Sequence, residues 1–176
     1  MSEQQDQKSI GKFMFFAMWI VLLGLLAMMF NNLLERQYNP NQQLVSQQTD
    51  QGDIEVVLQR NKFGHYVSSG TINSQPVVFM LDTGATDISV PETVAKRLRL
   101  KAGTPSIYQT ANGNITVYKT ILEQVNLGGI QLNEVRASIN PHMSNEEILL
   151  GMSFLKHLEF AQKGDTLTLR QRFSPN

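Results

Sequence analysis

Asp82, Thr83 and Gly84 follow directly on the apolar run Val77, Val78, Phe79, Met80 and Leu81. Five large apolar residues, two of them valine, read as a strand covered on both faces, and the glycine just beyond permits backbone geometry that a side chain would block. Such a strand carries a carboxylate to an apolar place. A buried acid without partners is costly, so Asp82 must be hydrogen-bonded, paired with a second group or kept protonated. An acid held in that way can move protons, which is general acid–base chemistry. Rival chemistries fail on residues. The chain has no cysteine, which excludes disulfides, thiolate catalysis and cysteine-ligated zinc. It has no HExxH and no phosphate loop. Gly151-Met152-Ser153-Phe154-Leu155 begins like a nucleophile elbow but lacks the final glycine. His65, His142 and His157 have no ligand spacing and read as structural or surface histidines, so neither a metal nor a cofactor is expected.

Behind these residues stands a chain of 176 residues in which 15 Lys and Arg balance 15 Asp and Glu. No net charge points to nucleic acid or to an acidic partner. The expected division is a short cytoplasmic tail (1–12), a transmembrane helix (13–34), a polar glutamine-rich linker (35–52), a folded domain (53–172) and a tail (173–176). The stretch from Phe13 to Phe30 is uncharged and extends through Leu34. As a helix rising about 1.5 Å per residue it matches a hydrocarbon core of roughly 30 Å. A cleaved signal peptide would have a shorter apolar core and a small-x-small cleavage site. Asn31, Asn32, Leu33, Leu34, Glu35 and Arg36 follow instead, which favours an uncleaved anchor. Lys8 and Lys12 before the span outnumber Arg36 immediately after it, so the amino terminus is expected in the cytoplasm and the domain outside it, in the periplasm of a Gram-negative cell. The linker reads as a tether that lets two copies meet.

Within the domain, residues 54–58 read as a strand, and 65–72 with 77–81 as a hairpin turning at 73–76. A brief strand at 87–90 leads through Pro91 into a helix at 92–98. Its basic end, Lys96, Arg97, Arg99 and Lys101, reads as a complement to the helix dipole rather than as a binding patch. Residues 108–118 form a hairpin with Asn112-Gly113 at its tip, the strongest short turn signal available. Strands at 121–127 and 130–139 pair around Gly128-Gly129, a loop covers 140–147, and 148–155 is apolar core. Strands at 158–160 and 166–170 turn at 163–165.

Leu81-Asp82-Thr83-Gly84-Ala85-Thr86 resembles the Asp-Thr-Gly signature of retroviral-type, retropepsin-like aspartic proteases. The resemblance extends to order: an apolar strand before the motif, a flap hairpin after it, and near the end an apolar-apolar-Gly strand with a short helix, here 148–155. It implies an all-β fold, a single-lobe acid-protease barrel or sandwich with one or two short helices, following the transmembrane helix. It implies an aspartic endopeptidase with Asp82, Thr83 and Gly84 catalytic, and with Ala85, Thr86, Ala111, Asn112, Gly113 and Asn114 against an extended peptide substrate. One Asp-Thr-Gly per chain implies a homodimer through the active site, its two carboxylates titrating as a coupled pair. Thr86 stands where viral enzymes carry an aspartate, and Met152 where they carry an arginine. Those viral residues belong to one ion-pair network, and the loss of both resembles the bacterial membrane-anchored members. The alternative is a silent anchored domain that binds extended peptides or envelope proteins. The intact motif speaks against it, because a binding module has no use for a buried acid.

Overall fold

The computed structural model describes residues 3–110 and 113–173. The first element, α1 (Glu3–Tyr38), contains a stretch, Met14–Tyr38, long and apolar enough by length and composition to cross a membrane. The chain up to Gln37 and the chain from Tyr38 onward are two compact units.

In chain order the second unit begins with β1 (Ser46–Gln48), β2 (Ile54–Gln59), β3 (Val67–Ile72), β4 (Gln75–Leu81), β5 (Ile88–Pro91) and α2 (Glu92–Arg97). It continues with β6 (Pro105–Thr110), β7 (Gly113–Leu127), β8 (Ile130–Asn140), β9 (Ile148–Leu150), α3 (Met152–Leu155), β10 (Glu159–Lys163) and β11 (Thr166–Gln171). This is the expected all-β domain with two short helices. β3-β4-β9-β5-β8-β7-β6 form one sheet, and β3 also pairs with β7, closing six strands into a barrel from which the β6–β7 hairpin extends. At that closure Gly70 is obligatory, since a Cβ there would lie 2.5 Å from the Asn126 carbonyl oxygen and 2.7 Å from the Phe79 ring. β1-β2-β11-β10 form a second, antiparallel sheet. Phe79, Leu122, Ile148, Leu150, Phe154 and Leu169 are fully buried in the core, where close packing makes each volume matter.

Two pairings position the site. β4 runs parallel to β9, Leu81 beside Leu150, and β5 runs parallel to β8, Val90 beside Ile139. Parallel neighbours cannot be joined by a tight turn, so these contacts bring together segments that are far apart in sequence. β4 itself buries Val77 and Phe79 but leaves Val78, Met80 and Leu81 half-buried. The expectation of cover on both faces therefore holds for one face, because the strand lies in a barrel wall rather than between two layers.

Residues 35–52 depart from the expected tether. The helix continues through Tyr38, and the chain is bonded into the domain from Asn39 onward. Asn39 and Asn41 are buried. Asn41 donates from Nδ2 to the carbonyls of Gln59 (2.8 Å) and Val67 (2.7 Å), while its Oδ1 accepts from the Gln59 amide (2.7 Å). Its amide bonds to Asn39 Oδ1 (3.0 Å), and β1 then pairs with β2. Asparagine side chains carry the same donor and acceptor as the backbone, so this segment adds a strand's worth of bonding without apolar residues, and a composition-based reading misses it. At the other end the Phe173 amide donates to Asp53 Oδ1 (2.9 Å), tying down the first residue of the expected tail; residues 174–176 lie outside the described residues. Asn41→Ala should leave three backbone groups without their partner, of which the Val67 carbonyl is buried and the two of Gln59 part-buried, lowering stability by roughly 2 kcal/mol. Denaturant unfolding of the full chain measures this, and a loss within about half a kcal/mol would return the segment to a tether.

Candidate active site

Asp82 stands at the end of β4, and its amide donates to the Leu150 carbonyl of β9 (3.2 Å). Beyond it the chain turns back on itself. Asp82 Oδ1 accepts the Gly84 amide (2.8 Å), and the Asp82 carbonyl accepts the Ala85 amide (3.3 Å).

The loop is pinned from behind by α3. Met152 donates its amide to the Ala85 carbonyl (2.8 Å), and Ser153 donates to the Thr86 carbonyl (2.9 Å). These backbone bonds join the two segments at which Thr86 and Met152 stand in for the viral ion-pair residues. Ser153, itself buried, accepts the Ile88 amide at Oγ (3.0 Å) and donates to the Arg136 carbonyl (2.8 Å), which ties α3, β5 and β8 together. Gly151 lets them approach this closely: a Cβ there would meet the Asp87 and Ala85 carbonyl oxygens at 2.4 and 2.6 Å.

In front of the loop lies an open cleft of about 620 Å³. Its floor includes Asp82, Ala85, Thr86 and Leu149, its far side Ser138 and Asn140, and its cover Ile107, Tyr108, Ile115 and Val117 of the β6–β7 hairpin. The hairpin thus occupies the place of a flap. It is held to the loop by Tyr108, whose hydroxyl donates to Asp87 Oδ2 (2.6 Å). Burial, then that hydrogen bond, push the Tyr108 phenol up to about 12. The folded pKa lies above the unfolded value, so the contribution of the protonated phenol is complete below about pH 10 and is lost as pH rises through about 12. Asp87 Oδ1 is buried with no hydrogen-bond partner. The second carboxylate in the cleft wall is therefore tied to the hairpin through Oδ2.

Of the expected site residues, Asp82, Gly84, Ala85 and Thr86 line this cleft. Thr83 is exposed and does not line it. Gly113 and Asn114 open β7, exposed and beyond the lining residues, and Ala111 and Asn112 lie outside the described residues. Sequence reasoning overlooks Asp87, Tyr108, Ile115, Val117, Ser138 and Asn140. The alternation of Ile115 and Val117 on one strand face is a signal for two of them. For Ser138 and Asn140 there is no local signal, since the β5–β8 pairing brings them in. Among the described residues no group of three or more His, Cys, Asp or Glu could hold a metal ion.

The family model for gag-polyprotein putative aspartyl proteases matches residues 68–157, which span the motif loop, the flap hairpin and α3. A curated protein of Sinorhizobium sp is 31% identical over 124 residues, covering 68% of this chain and 53% of that one. One from Rickettsia prowazekii (strain Madrid E) is 30% identical over 109 residues, covering 60% and 46%. Both are uncharacterised, and the chain spans about half the length of these curated relatives. Among solved structures, a retropepsin-like aspartic protease from Rickettsia conorii matches with a TM-score of 0.56 and 23% identity over 73% of this chain and 95% of that one. That likeness is one of fold, and the family match in sequence spans the Asp82 loop, the hairpin over it and the α3 that braces it: this chain belongs to the retropepsin-like aspartic protease family.

Proposed function

We propose that the chain is a membrane-anchored aspartic endopeptidase whose working unit is a pair of copies, each supplying Asp82. The observation that carries this reading is that Asp82 ends its strand in a peptide-sized cleft whose other lining carboxylate, Asp87, is tied to the hairpin through its bond to Tyr108. Water activation between two carboxylates needs a second acid, and a symmetric pair of chains brings Asp82 to Asp82. Two carboxylates held close together cannot both ionise easily. The ionised one takes a proton from the water, the protonated one polarises the scissile carbonyl, and the tetrahedral intermediate collapses as the leaving amine is protonated. In this reading Thr83, whose exposure on one chain leaves it open to a partner, hydrogen-bonds across the pair, and Gly84 lets the substrate backbone approach. The flap, with Ala111, Asn112, Gly113 and Asn114 at its end, closes over a peptide held as an added strand and excludes water.

The apolar helix supports an anchor with the amino terminus in the cytoplasm and the domain outside it. Confinement to a plane raises the effective concentration of the two halves, which offsets a weak interface. The test is subunit mixing. Full-length wild type in detergent micelles should cleave peptides, and adding an equal amount of Asp82→Asn chain should reduce activity per wild-type chain to about half, because mixed pairs carry one acid. Activity unaffected by mixing under conditions of subunit exchange would defeat the shared site. Peptide binding with no cleavage at any pH would point to the silent binding domain.

A further inference from the structure

A second groove, of about 740 Å³, lies beside the cleft. Four cations from separate elements line it: Arg99 and Lys101 beyond α2, Lys119 on β7 and Arg136 on β8. All four are exposed, and none is in an ion pair among the described residues. The acids in its wall are Asp87 and Glu123, so cations outnumber acids there in a chain with no net charge.

The cations are set in place by the backbone. α2 ends in a Schellman turn, with the Arg99 amide bonded to the Lys96 carbonyl (3.1 Å) and the Leu100 amide to the Ala95 carbonyl (2.9 Å), and Arg99 takes the left-handed position at φ 55°. Lys96 pairs with Glu92 on the helix itself (2.8 Å). Dipole complementation thus accounts for the cations of the last helical turn but not for Arg99 and Lys101, which are turned beyond it. The Gly103 amide bonds to the Lys119 carbonyl (2.8 Å), and the Lys119 amide to the Thr104 carbonyl (3.0 Å), which joins the two cation-bearing stretches.

Asp87 and Tyr108 line both hollows, so the wall between cleft and groove is one hydrogen-bonded pair of side chains. An extended peptide advances about 3.3 Å per residue, and a strand leaving the cleft past Tyr108 enters the groove within a few residues. Strand-type binding reads backbone and is indifferent to side chains, which leaves selectivity to the walls. Excess positive charge attracts carboxylates and repels ammonium and guanidinium groups. Resting on the reading of the cleft as a peptidase site, we infer that this groove selects substrates bearing acidic side chains a few residues from the scissile bond. In a symmetric pair there is one such groove on each side.

The test uses the full-length chain in detergent micelles and matched peptides that carry Glu or Gln at each position outward from the cleavage site. The Glu peptide should be cleaved with a kcat/KM roughly fivefold higher at the positions that reach the groove, and the preference should shrink as salt is raised. The double variant Lys119→Glu, Arg136→Glu should lose that preference while cleaving the Gln peptide within about twofold of wild type, with an unchanged unfolding midpoint. Equal cleavage of both peptides by active wild type overturns the inference and leaves the peptidase reading standing. Should no peptide be cleaved, the peptidase reading fails, and binding to the Asp82→Asn chain decides the groove: tighter binding of the Glu peptide supports it, equal binding overturns it. Competition by anionic phospholipid vesicles with no Glu-over-Gln discrimination also overturns it, marking a headgroup site instead.

Discussion

Asp82→Asn is expected to lower kcat/KM for peptide cleavage by roughly 10²–10⁴-fold, the usual contribution of a positioned acid–base group, while leaving the fold intact. The amide keeps an oxygen where Oδ1 accepts the Gly84 amide (2.8 Å), so the turn that shapes the loop survives and only proton transfer is removed. Asp82→Ala would confound the two effects by deleting that acceptor as well. The loss should appear in kcat with little change in KM, as for an interaction made chiefly in the transition state. Cleavage kinetics beside an unfolding curve for each protein settle the matter, and an asparagine variant within twofold of wild type would exclude Asp82 from the chemistry.

Gly151→Ala should be the most damaging single methyl group that can be added near the site. Its added Cβ would fall 2.4 Å from the Asp87 carbonyl oxygen and 2.6 Å from that of Ala85. Both are main-chain atoms and cannot swing aside. Relief requires α3 to move away from the motif loop, breaking the bonds from Met152 to Ala85 and from Ser153 to Thr86. Overpacking of this severity costs about 3 kcal/mol, and the displaced loop should also lose its activity. Gly84→Ala gives a useful contrast, since its Cβ would lie 3.2 Å from Asp82 Oδ1, a contact that a small adjustment can relieve. Denaturant midpoints rank the two. A Gly151→Ala protein as stable and active as wild type would show that α3 does not brace the loop.

The motif was the easiest part to read, because its chemistry is local: an apolar strand, an acid and a glycine in sequence. Hairpins were nearly as plain. Asn73 and Ser74 take positive φ of 49° and 64° in the turn expected between β3 and β4, and Gly128-Gly129 divide β7 from β8 as anticipated. Pairings between distant segments left no local trace. Nothing in residues 148–150 announces that they run parallel to β4, and nothing near Ser138 announces the cleft. The Asn41 clamp was hidden for a different reason. Periodicity detects burial of apolar side chains, whereas this segment is held by polar ones, and its glutamine-rich composition resembles disorder. Asp87 reads in sequence only as the start of a strand, because its link to Tyr108 depends on how the hairpin folds back over the loop.

The parallel pairing of β4 with β9 also sets the order in which the Asp82 loop gains its support. Asp82 is made before the strand and helix that fix its loop, with β5 to β8 between them. Contacts of such long sequence separation form late, after the intervening strands have closed the loop entropy between them. A nascent or truncated chain that ends before residue 148 therefore carries the acid without the brace. Support for the acid's loop is thus coupled to closure of the barrel wall rather than to the segment that carries the acid.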